Sequence, residues 1–458
     1  MRILLAQNMF HLPTHGGANK SNRIMLEQLA ARGHTCRVVA PLSGALRRTS
    51  LARHLAYLEN AGALIRSVTD EAVTYEYRGV VAHAVVNPSH LARWVGMVSD
   101  ALNPDWILVP SDDPGLIMLG AASRAAPGRI VYLAHTLQQL PFGPGAFYPS
   151  SAGTRLVRSA AGVVAVSRAA RDHLLRWAAV ESTLIHPQVY ERGPAAAPGP
   201  AGGAVTMVNP CAYKGLPIFL ALADARPGVR FLAVPTWGAT EDDLEALRRR
   251  PNIELMDPVD DIGEVLARTR VLVMPSLWDE TFGYTAVEAM LRGVPVLASD
   301  VGGLSEAKLG VPYLLPVRRI SGYEAGSHAR PVPIVPEQDA GPWLDALDLL
   351  LTDPAHHRDV AERSERAAAA FVAALDEDAL DRYLTTLTPA EAPVTSPAAS
   401  GLGDPPSARS LATVARRRAK ALTPERRAAL AALLAAHSAQ DPPKPPPPPP
   451  SEQGDNAP

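Results

Sequence analysis

The feature that most constrains this chain is a rhythm. Short, continuous apolar runs alternate with stretches of helical periodicity, and the series is played through twice. In the first series "RILLAQ", "TCRVVAP", "DWILVPS", "RIVYLAH" and "AGVVAVS" read as strands. Between them "GGANKSNRIMLEQLAARG" carries Ile24, Leu26, Leu29 and Ala30 at helical spacing with Gly33 as its stop, and "RAARDHLLRWA" is a second helix. Strands apolar on both sides and separated by helices belong to a parallel sheet covered on both faces. The expected class is α/β, a doubly wound Rossmann-like lobe over 1–190.

Residues 191–204, "ERGPAAAPGPAGGA", have no period and read as a linker. The rhythm then restarts with "AVTMVNP", "VRFLAVP", "IELMD", "VLVMPS" and "GVPVLAS" as strands, predicting a second parallel-sheet lobe over 205–375. From 341 the chain is nearly all helix to about 387, with 376–388 as a candidate segment returning to the first lobe. Beyond it, 389–458 is a tail of different composition. It holds a disordered connector, a short amphipathic helix with Thr423 as N-cap, and "PPKPPPPPP", which is extended polyproline.

Composition narrows the function classes. A net charge of −2 over 458 residues gives no global attraction to nucleic acid, the aromatics are sparse and the basic runs short, so nucleic-acid readout is not expected. Two cysteines, Cys36 and Cys211, make no disulfide framework, and "MRILLAQNMF" lacks the makeup of a secretion signal, which together predict a cytoplasmic location. No apolar stretch reaches the roughly 18 to 20 residues of a membrane span.

Two lobes of this kind face each other across a cleft at the carboxyl ends of their strands, where ligands bind. The segment "PSLWDETFGYTAVEAMLRGVPVLASD" sits at such a strand end. It predicts a loop carrying Glu280, a turn at Phe282 and Gly283, and a helix containing Glu288 that Gly293 and Pro295 close. A helix start offers free N–H groups and about half a positive charge, suited to phosphate. A carboxylate on either side of it can accept hydrogen bonds from hydroxylated rings. The pair would thus hold the two ends of a sugar–pyrophosphate–nucleoside molecule.

This segment resembles the Glu-x7-Glu signature of retaining, family 4 type glycosyltransferases of GT-B fold, through Glu280, Phe282, Gly283, Glu288, Ala289, Met290, Gly293, Pro295 and Val296, with Thr281 in place of a usual glycine. Three more places agree. "VNPCAYKGLP" is similar to the family's R-x4-K-G segment, which implies that Lys214 neutralises the departing diphosphate, while Asn209 stands where the arginine is expected. "THGGANK" resembles the first-lobe turn in which Gly16 and Gly17 approach the ligands, and His135 matches a histidine near the donor sugar. The resemblance implies His135, Glu280 and Lys214 as the catalytic set, and Gly16, Gly17, Asn209, Lys214, Glu280, Thr281, Phe282, Gly283, Tyr284 and Glu288 as donor-binding residues. It implies no cofactor and no metal; "SDDP" at 111–114 is read as loop caps rather than ligands.

The reaction so implied moves a hexose from a nucleotide sugar to the hydroxyl of a small-molecule, lipid or glycan acceptor with retention. The 315–339 segment, rich in Arg and Pro, is a place where acceptor choice could be shaped. In the tail, "ALTPERRAALAALL" resembles a linker segment of modular peptide and polyketide synthetases, implying a synthetase contact and a secondary-metabolite acceptor, and "ARRRAK" offers a peripheral membrane contact. Two rival readings share the architecture: a sugar-nucleotide 2-epimerase, and a non-catalytic protein recruiting partners through its polyproline.

Overall fold

The strand runs of the first series assemble edge to edge. A computed structural model describes residues 1–14, 16–42, 50–190, 202–324 and 331–390. The first sheet has nine strands: β1 (Arg2–Ala6), β2 (Thr35–Pro41), β3 (Leu64–Val68), β4 (Ala72–Tyr77), β5 (Val80–Val85), β6 (Trp106–Pro110), β7 (Ile130–Ala134), β8 (Gly162–Ala165) and β9 (Thr183–Leu184), ordered β3-β4-β5-β2-β1-β6-β7-β8-β9. From β5 to β9 every pairing is parallel. All five residues of β6 and of β7 are buried. That two-sided burial is why these strands are apolar throughout rather than alternating. The order reverses at β1, which lies between β2 and β6, and there a crevice opens at the carboxyl ends.

The second sheet repeats the plan with β10 (Ala204–Val208), β11 (Phe231–Val234), β12 (Ile253–Leu255), β13 (Thr269–Met274), β14 (Val296–Ser299) and β15 (Leu314–Leu315), ordered β12-β11-β10-β13-β14-β15 and wholly parallel. Its reversal falls at β10. Each sheet has its own apolar core, one around Phe219, Phe231 and Trp343, the other split over the two faces of the first sheet.

Three features depart from or add to the sequence expectations. The first sheet is extended by an antiparallel meander, β3-β4-β5, in which β5 alternates buried and half-buried residues from Val80 to Ala84. The 315–339 segment supplies a small antiparallel ladder, β16 (Gly322–Tyr323) with β17 (Pro333–Ile334). The helix expected between Gly283 and Gly293 is only α2 (Tyr284–Met290), because its last turn opens at Leu291 and the Gly293 N–H closes on Met290 O at 3.0 Å.

Helix α1 (Gly17–Ala31) leads from β1 to β2 and starts at the cleft. Helix α3 (Ala379–Thr386) lies against the first sheet. Leu380 and Leu384 join its core, Trp106 Nε1 donates to Leu384 O at 3.0 Å, and His34 Nε2 meets Asp381 Oδ1 at 2.7 Å. No helix among the described residues is long and apolar enough to cross a membrane. The linker reading up to residue 201, and every reading of the tail beyond 390, fall outside the described residues.

Candidate active site

The loop after β13 carries Glu280 into the gap between the lobes and is clamped from both sides. Within its own lobe, Gly303 N donates to Glu280 O at 2.7 Å. From the first lobe, Gln138 Nε2 donates to Asp279 O at 2.9 Å and Ser167 Oγ donates to Thr281 O. A loop held by backbone bonds on either side of one side chain fixes that side chain's position.

Glu280 Oε1 accepts three hydrogen bonds: from Lys214 Nζ at 2.5 Å, Ser276 Oγ at 2.5 Å and Trp278 Nε1 at 3.0 Å. Only 9% of the residue is exposed. Burial alone pushes its carboxyl pKa up, but the Lys214 ammonium and the three donors outweigh it and hold Glu280 below the ordinary carboxylate value. Lys214 also lies 5.0 Å over the Trp278 ring. A short 3-10 turn, Ala212–Lys214 after β10, presents it.

Glu288 is 5% exposed and projects from α2 into the same gap. Its Oε1 is 2.6 Å from Lys20 Nζ, on the first turn of α1 in the opposite lobe. The two starts, α1 and α2, touch: a Cβ on Gly17 would stand 2.6 Å from Tyr284 Cδ2, so only glycine lets the lobes approach so closely. At the rim Asp260 Oδ1 accepts from Thr14 N at 3.2 Å, and Tyr57 OH donates to Asp260 Oδ2, another contact from lobe to lobe.

These side chains enclose a cavity of about 170 Å³. Of the predicted residues, Gly16, Gly17, Asn209, Lys214, Glu280, Tyr284 and Glu288 line it. Asn209 gives it a neutral wall: Oδ1 accepts from Gly238 N at 2.9 Å, and Nδ2 is buried without a partner. Lys20, Trp237 and Asp260 line it too, and the sequence reading had passed over all three. Nothing in the sequence marks Lys20, whose partner is distant in the chain; a lysine in a helix's first turn otherwise reads as solvated.

Four predicted residues stand elsewhere. Thr281 and Phe282 are outside the cavity lining because the loop turns there into the core, where the Phe282 ring stacks on Phe371 at 5.8 Å. Gly283 has a φ of 121° and is not part of the cavity lining; a Cβ there would stand 2.6 Å from Leu304 Cδ2, so the packing at this helix start requires glycine. His135 is buried at the end of β7 off the cavity, both ring nitrogens lack partners, and burial pushes its pKa down to about 3. The "SDDP" carboxylates cap backbone: Asp112 accepts from Asn8 N and Met9 N, and Asp113 from Met118 N at 2.6 Å. Among the described residues no three His, Cys, Asp or Glu side chains are grouped to hold a metal ion.

Two Rossmann-like lobes, with two acids and a lysine in the gap between them, define a two-lobed α/β class of protein with its site between the lobes. Comparison with known proteins agrees. Residues 15–189 match the model of glycosyltransferase family 4, and residues 206–325 that of glycosyl transferases group 1. The chain belongs to the glycosyltransferases of this family 4, group 1 type, with the GT-B fold.

It is similar to the phosphatidyl-myo-inositol mannosyltransferase of Mycobacterium leprae, 28% identical over 80% of this chain and 91% of that one. A D-inositol 3-phosphate glycosyltransferase of Pseudarthrobacter chlorophenolicus is 35% identical over 27% of each chain, so only about a quarter of that relative is matched. Among solved structures, the sucrose-phosphate synthase of Thermosynechococcus elongatus superposes with a TM-score of 0.60 at 18% identity, over 84% of this chain and 99% of that one. The Anabaena HepE complex with UDP-glucose gives 0.57 at 17% identity, over 84% and 98%.

Proposed function

We propose that this protein transfers a hexosyl group from a nucleoside-diphosphate sugar to an acceptor hydroxyl, with retention of configuration. The observation that carries the reading is the convergence of Glu280, Glu288 and Lys214 on one cavity between the lobes, faced by Gly16 and Gly17 at the start of α1.

In this scheme Glu288 accepts from the ribose hydroxyls and Glu280 from the hydroxyls of the hexose, since an ionised carboxylate is an acceptor only. Lys214 turns to the diphosphate, where negative charge collects as the glycosidic bond stretches, and stabilises it there. The departing phosphate oxygen takes the proton of the acceptor hydroxyl as the new bond forms on the same face, so no side chain acts as nucleophile. The cavity is smaller than the roughly 300–1,000 Å³ of typical ligand sites. Donor entry therefore parts the lobes, and closure afterwards excludes water from the bound donor. Two relatives are named for inositol-containing acceptors, which makes a hydroxylated ring of that kind the first acceptor to try here; a secondary metabolite or a cell-envelope glycan or lipid is the wider class.

The test is incubation with a panel of nucleotide sugars, reading nucleoside diphosphate release by mass spectrometry and the anomeric configuration of the product by NMR. Release with a retained anomer is the expected result. An inverted anomer overturns the mechanism, and conversion of the donor to its 2-epimer overturns the transfer reading.

A further inference from the structure

Glu288 cannot take up a ribose in the state seen here without losing a partner. Its carboxylate is bonded to the Lys20 ammonium at 2.6 Å, with the two side chains 7% and 20% exposed. Among the described residues lining the cavity, Lys20 and Lys214 are the cations, set against Glu280, Glu288 and Asp260. The cavity thus carries one more negative than positive group, and both ammoniums are engaged by the acids that the ring hydroxyls would claim. A diphosphate entering this space needs cations released from carboxylates, and among the described lining residues the donor lobe supplies one, Lys214, while Asn209 offers a neutral amide.

Lys20 is placed to be the second. It sits on the first turn of α1, beside the backbone N–H groups of Gly17, Ala18 and Asn19, which precede the first intrahelical bond, Lys20 N to Gly16 O at 3.0 Å. Its stem is anchored on a 15-residue helix, so the ammonium can leave Glu288 and still stay within the cavity. We infer that Lys20 is a donor-binding residue contributed by the first lobe, whose ammonium exchanges the Glu288 carboxylate for the donor diphosphate when the nucleotide binds. The exchange frees Glu288 for the ribose and puts a cation from each lobe on the phosphates, so that donor loading itself draws the lobes together. This rests on the nucleotide-sugar reading above.

The experiment is calorimetric titration of UDP, GDP and ADP, and of the nucleoside matching whichever binds, into wild type, Lys20→Met and Lys20→Arg. Loss of one charge-assisted contact weakens the diphosphate about tenfold or more in Lys20→Met. The nucleoside affinity holds or improves, since Glu288 no longer has to be prised from its partner, and Lys20→Arg stays within about threefold of wild type. Should Lys20→Met not fold, Lys20→Gln serves the same comparison. Adding Lys20→Met to Glu288→Gln must still weaken the diphosphate relative to Glu288→Gln alone, which separates a lost contact from repulsion by an unpaired Glu288. Equal changes for nucleoside and diphosphate, or no change in either, overturn the role of Lys20 while leaving the nucleotide-sugar reading in place. Failure of wild type to bind any of the three diphosphates overturns both.

Discussion

The pairing of Lys214 with Glu280 makes a quantitative prediction about the protein before any donor arrives. The two groups are 2.5 Å apart, with side-chain exposures of 20% and 11%. Removing one partner of a fully buried pair costs about 3–5 kcal/mol, because the other charge is stranded. Here the lysine keeps some water and Glu280 keeps Ser276 and Trp278 as donors. We therefore expect about 2 kcal/mol for Lys214→Met and for Glu280→Gln. The double variant should lose less than the sum, with a coupling of about 1–2 kcal/mol. Urea unfolding followed by tryptophan fluorescence measures this, since Trp278 reports on the site itself. The pH dependence adds a check of sign. Glu280 is held below the ordinary 4.5, so the pair contributes fully above that value and its contribution is lost as pH falls below it. Additivity of the two single variants to within about 0.5 kcal/mol at neutral pH would refute the pairing.

Other consequences follow from groups away from the acids. Lys308 is fully buried and donates to Val296 O at 2.6 Å, and burial lowers its pKa from 10.5 to about 7. Stability should therefore fall as pH drops from about 10 toward 7, where the unfolded chain binds a proton that the folded one does not; Lys308→Met should flatten that slope in thermal melts. Gly17→Ala places a methyl against the Tyr284 ring and should cut donor turnover at least tenfold with little change in melting temperature, read by steady-state kinetics beside calorimetry. Trp106→Phe removes the bond to Leu384 O at about 1 kcal/mol and should speed proteolytic cleavage between residues 373 and 379 as α3 loosens.

The parallel strands were legible because burial on both faces removes polar residues from them, and "WILVP" and "IVYLA" show this directly. Glu280 and Glu288 were legible because they follow a strand end, and strand ends of this fold face the cleft; Lys214 was legible through the resemblance of "VNPCAYKGLP" to a family segment. Direction was not. A glycine at positive φ tells that something comes close but not what, and at Gly283 the side where a Cβ would stand is filled by Leu304. Nor does a strand-end histidine tell which way its ring turns, and the His135 ring is packed away. Lys20 and Asp260 acquire meaning only through partners in the opposite lobe. Such pairings are set by how the two sheets meet, which no local periodicity encodes.

The most direct test of the whole account is turnover of the best nucleotide sugar by wild type, Glu288→Gln and Lys214→Ala, measured as nucleoside diphosphate released with the acceptor present. Loss of a charged group that holds the donor or its leaving group should lower kcat/KM by about a hundredfold or more in each variant. Wild-type rates in both variants would mean that this cavity is not where the sugar is transferred.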